Sequence, residues 1–151
     1  MTEAARAVLA DCRGAVDEIA GQGPVWRRRW ITAVVLLRAV GHVLDKVDSD
    51  RSPELKRAIE SAWKALQSTK PEPKIFWLFI DEARNNILKQ YEMGAGQGAT
   101  VDLGTGTAEN IYLVNSGEFE GRDQRELIRD AITWWETYLD AIDAAAAGRV
   151  A

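Results

Sequence analysis

The sequence predicts an all-α protein: a bundle of about five helices, with one long glycine-rich insert before the last of them. Three observations carry this expectation. Apolar residues recur at helical spacing in five separate stretches. The breaks between the first four are short and built from Gly, Pro, Asp and Ser. Most of the glycines then gather between residues 93 and 122, where helical periodicity stops.

The first helix is expected from Glu3 to Ala20, with Ala5, Val8, Leu9, Cys12, Val16 and Ile19 on one face. Gly21, Gly23 and Pro24 end it. A second, from Val25 to Val47, is apolar around most of its girth, as a helix in the middle of a bundle would be. Ser52 then offers an N-cap with Pro53 behind it, opening a third helix to about Gln67 whose buried stripe is Ile59, Trp63 and Leu66. Lys-Pro-Glu-Pro leads into a fourth helix, Lys74 to Glu92, with Phe76, Phe79, Ile80, Ala83, Ile87 and Tyr91 at its spacing. The fifth starts near Asp123, which forms an approximate capping box with Glu126. Its inner face runs through Leu127, Ile128, Ala131, Trp135, Tyr138 and Ile142, and residues 144–151 read as a frayed tail. Within the insert, Val101 to Leu103 and Ile111 to Val114 can pair as a short hairpin, marginal unless it packs on the bundle or on a partner.

A chain of 151 residues fits one domain, here 1–151, with enough length to bury a core. The net charge of -4 argues against a general nucleic-acid coat and leaves Arg27, Arg28 and Arg29 as the densest basic patch. Cys12 is the only cysteine and His42 the only histidine. An intramolecular disulfide, a thiolate zinc site and a multi-histidine metal site are thereby excluded, and no cofactor is expected. The N-terminus lacks the apolar core of a signal peptide, and the apolar run from Ile31 to Leu37 is too short to span a bilayer. A cytoplasmic protein without a membrane segment is the expectation.

Four patterns bear on chemistry. Val-Asp-Leu-Gly-Thr-Gly-Thr, residues 101–107, looks like the first motif of S-adenosylmethionine-dependent methyltransferases, but the strand–helix series that motif needs is missing. Gly-Ala-Gly-Gln-Gly lacks the lysine and hydroxyl of a phosphate loop. On the second helix Arg38, His42 and Asp45 lie at i, i+4 and i+7, a polar face on an apolar helix that must be paired or line a cleft. There His42 is a candidate proton donor or acceptor, oriented by Asp45 and assisted by Arg38; the plainer alternative is an exposed edge with ordinary ion pairs. On the fourth helix Arg84 and Tyr91, seven apart, share a face, with Asn85 and Lys89 beside them and Asp81 and Glu92 nearby. Arg and Lys suit phosphate, and Tyr suits base stacking, although amphipathic helices often carry such charges with no ligand.

The order Arg84, four residues, Lys89, one residue, Tyr91 resembles the R-x-x-x-x-H-x-Y signature of HEPN domains, small helical bundles found in many prokaryotic toxins and defence systems. Asn85, directly after the arginine, is also frequent there. The resemblance implies a homodimer in which two copies of the motif face one cleft. It also implies, for active members, metal-independent RNA cleavage by the arginine and the histidine. Lys89 stands where the family has that histidine, and a lysine protonated near neutral pH holds phosphate but is a poor general base unless buried. His42 lies on a different helix, and nothing in the sequence brings it to Arg84.

The expectation is therefore a catalytically degenerate HEPN-like domain with a binding or regulatory role towards RNA, a nucleotide or a protein, in the setting of a toxin–antitoxin or defence system. Two alternatives stand beside it: an active ribonuclease using Arg84, Tyr91 and His42, or a protein-interaction module working through the 93–122 insert. Trp63 and Trp135 fall on inner stripes. Trp26, Trp30, Trp77 and Trp134 are harder to bury together in so small a bundle, which favours a homodimer interface.

Overall fold

The computed structural model describes residues 1–148. Five α-helices form the body: α1 (Glu3–Asp17), α2 (Gly23–Lys46), α3 (Pro53–Ser68), α4 (Glu82–Gln90) and α5 (Gln124–Ala146). A π-helical segment, Ile75–Asp81, runs straight into α4. A two-stranded antiparallel hairpin, β1 (Ala95–Val101) and β2 (Ala108–Val114), fills most of the insert. The fold is mostly helical, as the periodicity predicts, with a small β element in front of the last helix. Among the described residues no helix is long and apolar enough to cross a membrane.

The helix starts follow local chemistry. The Ser52 hydroxyl accepts from the Leu55 N–H at 3.1 Å, and Asp123 accepts from the N–H groups of Arg125 and Glu126. Each cap satisfies donors that a helix N-terminus leaves free. The start of α1 is served from a distance. Asp48, fully buried in a short 3-10 turn after α2, accepts from the N–H groups of Ala4 and Ala5 at 3.1 and 2.8 Å and from Arg51 Nε at 2.9 Å. A carboxylate at a helix N-terminus also meets the positive end of the helix dipole.

Helix α2 is central, packed against α1, α4, α5 and the π segment. Its Trp30, Ala33, Val34, Leu37 and Val40 are all nearly fully buried, which explains its all-round apolar sequence. Trp26, Trp30 and Trp77 are buried too, and Trp134 is half-buried; Trp63, expected in the core, is 37% exposed. The reason is a connected set of rings around Phe76, which Trp63, Trp77, Trp134 and Trp135 all approach. The bundle absorbs most of its own tryptophans, so they no longer argue for an interface.

Several boundaries differ from the periodic reading. Helix α2 begins at Gly23, two residues before the expected Val25, with Pro24 in its first turn. Helix α1 stops at Asp17, three residues early, although Ile19 beyond it is still buried. The fourth helix is expected to Glu92 but stops at Gln90, where Tyr91 turns into the left-handed region at φ 54°. Tyr91 is consequently 64% exposed and leaves the face it was expected to share with Arg84. The expected frayed tail at 144–151 is helical to Ala146, and residues 149–151 lie outside the described residues.

A hairpin forms, but its first strand lies earlier than expected. Ile111–Val114 pair with Ala95–Gly98 rather than with Val101–Leu103. Pairing runs on to Val101 with Ala108, and Leu103 falls in the turn. Gly-Ala-Gly-Gln-Gly is thus split between the approach and strand β1, and 102–107 is the turn, so neither glycine motif leads into a helix. Side chains from the bundle pin the base of the hairpin. Trp30 Nε1 donates to the Met93 carbonyl at 2.9 Å, and Tyr112 Oη donates to that of Gly21 at 3.0 Å. Buried Gln124 accepts from Trp26 Nε1 and donates to the carbonyls of Gly96 and Leu113. The far half, residues 99–110, is exposed throughout, with Leu103 at 94%.

Candidate functional site

The polar faces of α2 and α4 meet. Arg84 Nη2 and His42 Nε2 are 3.0 Å apart, a contact between helices that periodicity alone does not provide. Arg84 always carries its charge, so the guanidinium donates and Nε2 accepts. The proton of neutral His42 then sits on Nδ1. The Arg84 Nε–H is buried without an acceptor among the described residues.

Asp81 closes the group from the end of the π segment. Arg38 Nε donates to Asp81 Oδ1 at 3.2 Å, and Asn85 Nδ2 reaches Asp81 Oδ2 at 3.5 Å. Arg38 also lies over the Phe76 ring, 5.6 Å from its centroid. The i→i+5 ladder of a π-helix brings Phe76 and Asp81 to neighbouring positions, which lets one guanidinium use both. Asp81 is thereby committed to Arg38 and Asn85. Among the described residues Arg84 has no carboxylate within ion-pair distance, and its partner is an imidazole. Gly41 makes room for this packing: a Cβ there would stand 2.9 Å from Arg38 Nη1 and 3.0 Å from Trp135 Cη2.

The titration of His42 reflects these neighbours. Desolvation, then the charges of Arg38 and Arg84, hold its pKa below the ordinary 6.5, against the opposite pull of Asp45 and Asp81. At neutral pH the ring is therefore mainly neutral, as the contact with Arg84 requires. Burial lowers the pKa of Arg38 from its usual value, opposed by Asp81, but an arginine stays protonated in this range.

Of the residues singled out in the sequence, the fold brings together Arg38, His42, Arg84 and Asn85, with Asp45 lining the cavity beside His42. It does not add Lys89 and Tyr91, which are exposed at the end of α4 and share no hydrogen bond or ion pair with the group. Arg28 and Arg29 are exposed at the other end of α2. Sequence reading missed the cavity behind Arg38 and His42, of about 230 Å³, whose walls include Glu60, Trp63, Phe76, Trp135 and Tyr138. These come from three separate elements, so no local spacing announces them. Among the described residues no group of three or more His, Cys, Asp or Glu side chains is placed to hold a metal ion.

No family model, curated protein or solved structure matches this chain.

Proposed function

We propose that this chain is a HEPN-like helical domain that binds the phosphate of an RNA or nucleotide at the Arg84–His42–Arg38 cluster, with binding rather than cleavage as its main role. The observation that supports this reading is the state of Arg84. Its guanidinium lies against a neutral ring and lacks a carboxylate partner among the described residues, so its charge is uncompensated locally. A phosphate would supply that compensation through charge-assisted, bidentate hydrogen bonds, the geometry for which a guanidinium is suited. Arg38 lies beside it, its own charge already paired with Asp81.

The test is fluorescence anisotropy with a labelled single-stranded RNA at low salt. Arg84→Ala is expected to weaken binding about tenfold or more, because a charged hydrogen bond to phosphate is lost. Equal binding by the unmodified chain and Arg84→Ala would remove the reading.

A second reading, metal-independent RNA cleavage, is favoured by the same 3.0 Å contact, since an arginine beside a neutral histidine is a pairing of charge stabiliser with general base. In this arrangement the basic nitrogen, Nε2, is the one Arg84 occupies. To take a 2′-hydroxyl proton His42 must first give up that contact, which is why binding is placed first. Cleavage of RNA in the presence of a chelator, abolished by His42→Gln, would reverse the order.

A further inference from the structure

The cavity beside the cluster is lined on one side by Arg38 and His42 and elsewhere by aromatic rings. Phe76 and Trp135 form a buried floor, 1% and 2% exposed, while Trp63 stands at the mouth with 37% of its surface free. Trp63 meets Phe76 edge-on, at 78° between planes. A volume of about 230 Å³ falls below the roughly 300–1,000 Å³ of pockets that take drug-sized ligands, and suits one planar heterocycle. Aromatic side chains are the usual platform for an unstacked base.

A second occupant class, an organic cation in an aromatic cage, fits the rings equally well. The occupied Phe76 face disfavours it. Arg38 already occupies the Phe76 face, and its Nη1 is turned towards Gly41, another residue of the wall. A further cation would meet that guanidinium, whereas a neutral ring attached to an anion would not. Two carboxylates, Glu60 on α3 and Asp45 on α2, also line the cavity. A carboxylate has two acceptor oxygens and no donor, and the edge that complements it presents two donors side by side. Among the bases, guanine does so with N1–H and its exocyclic amino group.

We infer that this cavity is a nucleobase subsite with a preference for guanine, formed by Trp63 as stacking platform and Glu60 as edge acceptor; it rests on the phosphate reading above, which sets the adjoining cation cluster under the same nucleotide. The base enters past Trp63, and its phosphate lies outward on Arg84 and Arg38.

The experiment is calorimetric titration of the whole chain with guanosine 5′-monophosphate, uridine 5′-monophosphate and ribose 5-phosphate. The guanine nucleotide is expected to bind roughly tenfold or more tightly than ribose 5-phosphate, on the scale of one stacked base. It should also bind more tightly than the uridine nucleotide, whose base edge offers a carboxylate a single N–H between two carbonyls. Trp63→Ala should reduce it to the level of ribose 5-phosphate, and Glu60→Gln, an exposed and conservative change, should erase the preference over the uridine nucleotide. Arg84→Ala should weaken all three. Three equal affinities, all lost in Arg84→Ala, would overturn the base subsite and leave the phosphate site standing. A guanine preference unaffected by Arg84→Ala would do the reverse. No binding of any of the three would sink both.

Discussion

The guanidinium of Arg84 and the imidazole of His42 meet at 3.0 Å although 42 positions of sequence separate them. That contact joins the polar face of α2, legible in Arg38, His42 and Asp45, to the one family-like signature on α4. It puts a histidine beside the arginine from a helix the signature does not include, while Lys89 stands apart.

The single histidine makes the contact measurable. Its ring resonance in a proton NMR titration needs no assignment, and its midpoint should fall below 6.5, chiefly from desolvation and then from Arg38 and Arg84. Arg84→Ala should raise the midpoint part of the way back. The folded chain disfavours the protonated ring, so this contribution to stability is present above about pH 6.5 and fades as pH falls through the folded midpoint. A midpoint at or above 6.5 would contradict the arrangement.

Gly41→Ala tests the packing under the site. Alanine is the better helix former by about 1 kcal/mol. The new methyl group would nonetheless crowd Arg38 Nη1 and the Trp135 ring, and overpacking costs about 1–3 kcal/mol. A net loss of about 1 kcal/mol in urea unfolding is expected, together with weaker binding as Arg38 is displaced. A more stable variant with unchanged binding would show that Gly41 is not needed for space.

Asp48→Ala should be a strongly destabilising change outside the hydrophobic core. It removes three hydrogen bonds to a buried carboxylate and leaves two α1 N–H groups without partners. A loss of about 3 kcal/mol is expected from bonds of this charged kind. Thermal unfolding of the variant checks it, and a Tm unchanged within a degree or two would refute the cap.

Exposed apolar side chains next to the site bear on assembly. Leu88 is 62% and Tyr91 64% exposed on and just after the helix that carries Arg84. If two copies face each other as the HEPN resemblance implies, Leu88→Glu should shift the chain from dimer to monomer in sedimentation. A chain that is monomeric at every concentration would count against that assembly.

Much of the architecture was legible because it is local. The Ser52 and Asp123 caps, the all-round apolar α2 and the stripe on α5 each need only neighbouring residues to be read. What was not legible depends on distant partners. Gly-Ala-Gly-Gln-Gly has poor strand propensity and becomes part of β1 because β2 pairs with it and Gln124 bonds to Gly96. Tyr91 ends α4 in a left-handed conformation that glycine usually marks, so the helical pattern ran past it. The site was half visible: its cations could be named, but their meeting arises from packing of α2 on α4, and the cavity behind them from α2, α3, α5 and the π segment.

The hairpin is held at its base and free at its tip, and this sets a rule for how its length can vary. Gln124, Tyr112 and Trp30 all act at or near the bundle end, while residues 99–110 are exposed. Side chains alternate faces along a strand, so adding or removing paired positions in twos, one from each strand, moves only the turn, whereas an unmatched residue placed below the tip would turn Tyr112 and Val114 away from the bundle. Natural or engineered length variants of this arm should therefore come in matched steps, with the anchored end keeping its register.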